Sequence, residues 1–370
     1  MAKALIIGGG AIGRGFIPWL LNAFEIDIID KSRDMVNGIA KQGGFHSFMS
    51  ESDSDRLNKK WFKVRRVETS FNELRPLDYD IAFISVGPRN INYLPKGVEL
   101  LKCPIFSLEN DPITVSWIKD KYKLEKVYFG VPDVITSSTA SSENLYRDPF
   151  ALHTENGTLY LQRPPKLDAL LEKMLPQVHW LSEKDLRQEW DAKLYIHNTP
   201  HCIAAYLGHI AGCTYIHEAL AKKSIQRIIN GIIDELLSAL KMVTSYDHQF
   251  IESYAKKEVR RFSNKLLFDP VSRVAREPLR KLHPSGRLMG ALRLLLSKGI
   301  NPTYLMVGIA AALSYSDKKD VDYLQLCELH EFGISSFLKY HLGLDDKSIE
   351  SEFVKKNFLN AIHYLERELV

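Results

Sequence analysis

The strongest constraint on this sequence lies at its start, where the apolar run ALII, residues 4–7, leads directly into GGGAIGRGF. Gly8, Gly10 and Gly13 have the G-x-G-x-x-G spacing. Glycines so placed let a strand turn sharply into a helix, let backbone N–H groups close on a pyrophosphate, and let the helix pack tightly on its strand. A second apolar run, IDII, ends in Asp30. That is about twenty residues on, where a carboxylate accepts the hydroxyl hydrogens of an adenosine ribose. The alternative is a glycine turn followed by an unrelated acidic residue. A strand-like run before, helix-like FIPWLL after, and Asp30 together favour a dinucleotide cradle with Ala11 and Ile12 inside it. A carboxylate there repels a 2′-phosphate, so NAD is expected over NADP, with Lys31 and Arg33 softening the preference.

Further short apolar runs follow at DIAFISVGP (80–88), PIFSLEN (104–110) and KVYFGV (126–131). Separated by charged segments, they predict a parallel sheet with helices on its faces, a Rossmann-type, doubly wound α/β domain. Ligands bind at the carboxyl ends of such strands, which places Val86 and Gly87 of SVGP, and Asn110 of LEN, beside the cofactor. The Asn-Gly in LHTENGTLYL suggests an extra hairpin. From about residue 185 the pattern becomes helical. Ile225, Ile228, Ile229, Ile232, Ile233, Leu236, Leu237 and Leu240 have helical periodicity, and Ile349, Phe353, Leu359, Ile362 and Leu369 suggest an amphipathic helix at the end. The expected organisation is a dinucleotide-binding domain over residues 1–185 and an all-helical substrate-binding and catalytic domain over 186–370, with the active site in the cleft between them.

A chain of 370 residues can build two such cores, and 45% hydrophobic with 25% charged residues excludes disordered and fibrous classes. The 49 basic residues are dispersed among 45 acidic ones, so nothing invites nucleic acid. No apolar stretch approaches membrane-spanning length. Cys103, Cys202, Cys213 and Cys327 lie far apart, without the spacing of a zinc knuckle or a disulfide framework. With no h-region before the glycines, a cytoplasmic protein is expected, as a monomer or small homo-oligomer.

The chemistry concentrates in EWDAKLYIHNTPHCIAAYLGHIAG, residues 189–212. On an α-helix at about 100° per residue, Lys193, His197, Asn198 and His201 can all face one side. Oxidation of an alcohol by a nicotinamide needs a base for the hydroxyl proton and donors for the oxygen as it gains carbonyl character. A lysine whose pKa is lowered by burial can be the base, and carboxamide N–H groups the donors. A solvated lysine and a His-x-x-x-His zinc pair are the rival readings. The zinc reading is disfavoured because Asn198 stands where H-E-x-x-H has glutamate. Pro200 cannot donate to the carbonyl of Ile196, so a kink or break is expected there.

The spacing Lys193, Asn198, His201, followed by AYLGHIAG, resembles the K-x(4)-N-x(2)-H signature of the polyol-specific long-chain dehydrogenases. GGGAIGRGFI, SVGP, LEN, HNTPHCIAAYLG, REPLRKL and GIAAAL also match members of that family, in order, over roughly residues 1–315. The resemblance implies Lys193 as general base, Asn198 and Asn110 as the pair that polarises the substrate oxygen, and His201 as a substrate-orienting hydrogen bonder, without a metal. It also implies an NAD-dependent enzyme interconverting mannitol 1-phosphate and fructose 6-phosphate. A sibling activity on an unphosphorylated polyol or a hexonate, or a silent dinucleotide-binding protein, are the alternatives. In DPVSRVAREPLRKLHPSGRL, residues 269–288, guanidinium groups could hold the phosphate, with Arg273 and Arg276 favoured and Arg280 third. A solvated basic loop paired with Glu277 is the bland reading. The chain departs from the family at Val134, where an arginine is usual after the retained Asp133, and at Pro18 and Pro200, which replace glycines.

Overall fold

The computed structural model describes the chain apart from residues 52–55, 110, 138, 244–245, 263 and 370 and the side chain of 259. It divides into two compact units, one of Met1–Trp190 with Leu266–Phe268, the other of Asp191–Lys265 with Asp269–Val370.

In the first unit the apolar runs become strands because each is buried on both faces. β1 (Ala2–Ile7), β2 (Phe24–Ile29), β3 (Gly44–Ser50), β4 (Leu57–Lys63), β5 (Arg66–Glu68), β6 (Ile81–Ile84), β7 (Ile105–Ser107), β8 (Val127–Asp133), β9 (Leu152–Glu155), β10 (Thr158–Gln162) and β11 (Val178–Leu181) follow in sequence. Eight form one sheet in the order β11-β10-β8-β7-β6-β1-β2-β5. β1 pairs in parallel with both β2 and β6, so the strand order reverses beside it. Alternate side chains feed two cores: Ala4, Ile6, Ile26, Ile28 and Phe83 on one face, Leu5, Ile7, Ile29, Ala82 and Ile84 on the other. This two-faced, largely parallel sheet is the doubly wound α/β architecture expected from the sequence.

The Asn-Gly hairpin is corrected. β9 pairs in parallel with β3 in a separate sheet ordered β4-β3-β9, whereas β10 runs antiparallel to β8 in the main sheet. Asn156 donates its N–H to Ser50 O at 2.9 Å, and a Cβ on Gly157 would stand 2.4 Å from that of Val134. The dipeptide therefore carries the chain from one sheet to another, and tertiary pairing overrides the local hairpin preference.

The second unit is helical. Helix Lys223–Lys241 buries Ile225, Ile228, Ile229, Ile232, Ile233, Leu236 and Leu240. Helix Thr303–Leu313 is buried along nearly its whole length, and its small residues allow close packing: a Cβ on Gly308 would lie 2.6 Å from Ile203 Cδ1. The final helix, Ile349–Leu369, is present, but its buried side carries Val354, Ala361 and Leu365. Ile349 and Leu359, expected on the apolar face, are 55% and 67% exposed. The neighbouring helices cover Val354, Ala361 and Leu365 and leave Ile349 and Leu359 outside. Among the described residues no helix is long and apolar enough to cross a membrane.

Candidate active site

The glycine loop leaves the carboxyl end of β1 at Gly8, whose φ of +101° and whose Cβ position, 2.5 Å from Ser85 O, admit only glycine. A Cβ on Gly13 would stand 2.0 Å from Gly8 O. Gly10 differs: nothing lies within 4 Å of where its Cβ would be. Two glycines therefore close the turn, and the third leaves an open backbone surface of the kind a pyrophosphate needs. Ala11 and Ile12 open a short π-helix, Ala11–Phe16, that precedes the α-helical turn Ile17–Leu20 with Pro18 at its start.

Asp30 stands at the end of β2, accepting from Gly9 N at 2.8 Å through Oδ2 and from Ser32 N at 2.8 Å through Oδ1. Each oxygen keeps a second lone pair for a hydroxyl donor. A cavity of about 200 Å³ is lined by Gly8, Gly10, Asp30, Ser85, Val86 and Asn90. Gly87 has φ +87° and donates its N–H to Glu109 Oε1 at 2.9 Å, which joins SVGP to LEN. Asn110 lies outside the described residues. Arg14, unassigned by the sequence reading, is buried beneath the loop, donating to the carbonyls of Gly9 and, at 2.6 Å, Phe150. Burial pulls its pKa down to about 10, with Asp30 and Asp148 opposing. A lone charged residue inside an apolar glycine loop was its only signal. Val134 is 5% exposed in the apolar core, a position where an arginine would have to bury its charge, so the departure from the family pattern agrees with local packing.

In the second unit the polar constellation is not on a regular α-helix. Lys193–Asn198 is π-helical and continues into helix Thr199–Ile210, with Pro200 in its first turn. Pro200 has no N–H for Ile196, and the wider register takes over: Thr199 bonds Leu194 O through its backbone N–H and, at 2.8 Å, through Oγ1. The wider turn brings residues four and five apart onto one side, which groups Lys193, His197 and Asn198 more tightly than the α-helical wheel does. All three are buried, as is His201.

His197 is committed to structure, its Nδ1 bonding Glu258, which also takes Arg261. The His201 ring stacks on Phe262 at 5.3 Å between centroids and 4° between planes. Its Nε2 lies 3.2 Å from Asp269 Oδ2, within ion-pair range but off hydrogen-bond geometry. Asp269 Oδ1 accepts from Arg273 Nε at 2.7 Å. Burial would raise the Asp269 carboxyl, but Arg273 and His201 outweigh it and hold the group below the usual range. Glu258, Phe262 and Asp269 are distant in sequence from the residues they position, and no local pattern announces them.

The depressed Asp269 gives a signed prediction. A carboxylate held below its unfolded value stabilises the fold above that value, about pH 4, and loses its contribution as pH falls through the folded one. Asp269→Asn is therefore expected to destabilise by about 3 kcal/mol at neutral pH. The gap to wild type should shrink in urea melts taken below about pH 4. A gap that is constant with pH would refute the charge pairing.

The basic segment is less open than its composition suggests. Arg273 is engaged with Asp269, and Arg280 with Glu277 at 2.7 Å. Arg276 is exposed, with its carbonyl accepting from Lys281.

Residues 186–328 match the mannitol dehydrogenase C-terminal domain. The mannitol-1-phosphate 5-dehydrogenase of Caldanaerobacter subterraneus subsp. tengcongensis is 29% identical, with 97% of this chain and 98% of that protein aligned. Over residues 186–328 the chain is similar to the mannitol dehydrogenase family. Another relative, the mannitol-1-phosphate 5-dehydrogenase of Clostridium acetobutylicum, is 29% identical over 86% of this chain and 88% of its own. Among solved structures, Pseudomonas fluorescens mannitol 2-dehydrogenase, in a ternary complex with NAD and D-mannitol, shares the fold at a TM-score of 0.77 and 15% identity, covering 99% of this chain and 94% of that one. The mannitol dehydrogenase fold thus extends over both units, well beyond the part matched by the family domain.

Proposed function

We infer that this chain is an NAD-dependent oxidoreductase interconverting mannitol 1-phosphate and fructose 6-phosphate. Near full-length similarity to mannitol-1-phosphate 5-dehydrogenases carries the reading. The cradle fits a dinucleotide: Gly10 leaves open backbone, and Asp30 has acceptor capacity at a strand end. NAD, when bound, supplies the hydride acceptor. Lys193 as the free amine takes the hydroxyl proton while the carbon gives up its hydride, so the C–H and O–H bonds break and the carbonyl forms. Asn198 and Asn110 donate to the oxygen as it gains carbonyl character, and His201, oriented by Phe262 and Asp269, donates to the substrate. The phosphate is met by the basic segment that contains Arg273, Arg276 and Arg280. Four free thiols and an NAD-linked reaction suit a reducing compartment, the cytoplasm.

The test is NADH formation against a panel of polyols, polyol phosphates and hexonates. Mannitol 1-phosphate should give the highest kcat/KM; a hexonate in that place would shift the assignment to a sibling activity. NAD should outperform NADP. Asp30→Ser should narrow that difference by roughly thirtyfold, about 2 kcal/mol, because a like charge no longer meets the 2′-phosphate. An NADP preference in the wild type would remove Asp30 from this role.

A further inference from the structure

Among the described residues no carboxylate is bonded to Arg287 or Lys281, whose partners are neutral. Lys281 is 3% exposed, and its ammonium donates to Tyr206 Oη at 3.2 Å, to Val274 O at 2.7 Å and to Arg276 O, all neutral acceptors. Arg287 Nη1 lies 3.4 Å from Asn198 O, and its carbonyl accepts from Thr199 Oγ1 at 3.4 Å. Glu277, the carboxylate that acts on Lys281, is already bonded to Arg280. Burial pushes the Cys202 thiol up while Arg287, Lys281 and Arg280 pull it down. Burial and mutual repulsion also lower Lys281 and Arg287. Such a group is favourable only when an anion joins it.

We propose that the phosphate of the substrate binds at Arg287, backed by Lys281, and not at Arg273. Arg273 serves a different end, holding Asp269 beside His201. Arg287 instead reaches the backbone of Asn198, the residue read as polarising the reacting oxygen. A planar guanidinium with the buried Lys281 side chain in its field is a suitable receptor for a dianionic phosphate monoester. The inference rests on the phosphorylated substrate of the preceding section and names the group that selects it.

Arg287→Ala is expected to raise KM for mannitol 1-phosphate on the order of 100-fold, with a smaller change in kcat. Added guanidinium should restore part of the loss, which a folding defect would not allow. Arg287→Lys should fall between, keeping the charge but losing the fork. As an independent probe, phosphite dianion should accelerate fructose reduction by the wild type and not by Arg287→Ala. An unchanged KM in Arg287→Ala, together with lost phosphite activation in Arg273→Ala, would overturn the inference and leave the substrate assignment intact. Equal wild-type kcat/KM for free and phosphorylated hexitol would overturn both.

Discussion

Lys193→Ala is expected to lower kcat for alcohol oxidation by about 10²- to 10⁴-fold, the range for removing a positioned general base. NADH affinity should remain close to wild type, because the glycine loop and Asp30 belong to the other unit. The side chain is 5% exposed on a π-helical turn that also presents His197 and Asn198, so the substitution removes the proposed base from one unit and leaves every residue of the glycine loop, in the other, unchanged. Stopped-flow turnover and fluorescence titration of NADH, measured on the same preparation, separate the two effects. A small primary amine should recover part of the rate. Wild-type turnover in the variant would assign the proton to another group, and parallel loss of turnover and NADH binding would point to misfolding.

The second large effect is expected at the glycine loop, where two substitutions of equal size should behave differently. Gly13→Ala places a methyl 2.0 Å from Gly8 O and 2.8 Å from Ser85 Oγ, so the turn itself must move. A loss of about 1–3 kcal/mol in stability is expected, together with failure to bind NADH. Gly10→Ala meets no atom within 4 Å and should melt with the wild type. Its methyl nevertheless occupies the face left for the pyrophosphate, so NADH affinity should fall while stability holds. The pair is measured by thermal melts with and without NADH. If Gly10→Ala binds NADH as the wild type does, the open face is not the phosphate surface.

Much of the architecture was legible locally. Strands buried on both faces appear in sequence as continuous apolar runs, which is why β1, β2, β6, β7 and β8 fall where ALII, IDII, DIAFIS, PIFS and KVYFGV predict them. The stripe from Ile225 to Leu240 foretold its helix for the same reason, since periodicity is a direct trace of burial. What failed depended on partners distant in the chain. The Asn-Gly of residues 156–157 has every local mark of a hairpin, yet its flanking strands join different sheets. The last helix was foreseen but not its buried side, because neighbouring helices choose which side is covered.

The candidate site divides along the same line. Gly8, Gly10, Gly13 and Asp30 are a matter of backbone geometry within one β–turn–helix–β unit, and Lys193, Asn198 and His201 share one helical segment, so sequence spacing by itself determined which residue types could meet. Their states were decided only by tertiary structure. Pro200 converted the preceding turn to a π-helix, Glu258 captured His197, Phe262 stacked on His201, and Asp269 took Arg273. Sequence shows that a segment is basic, but the environment settles which of its charges are neutralised. Arg273 and Arg280 found carboxylates, whereas Arg287 and Lys281 face carbonyls, a phenol and a thiol. A charge becomes available to a ligand when folding removes its water without supplying a counter-charge, and that depends on contacts no linear spacing encodes.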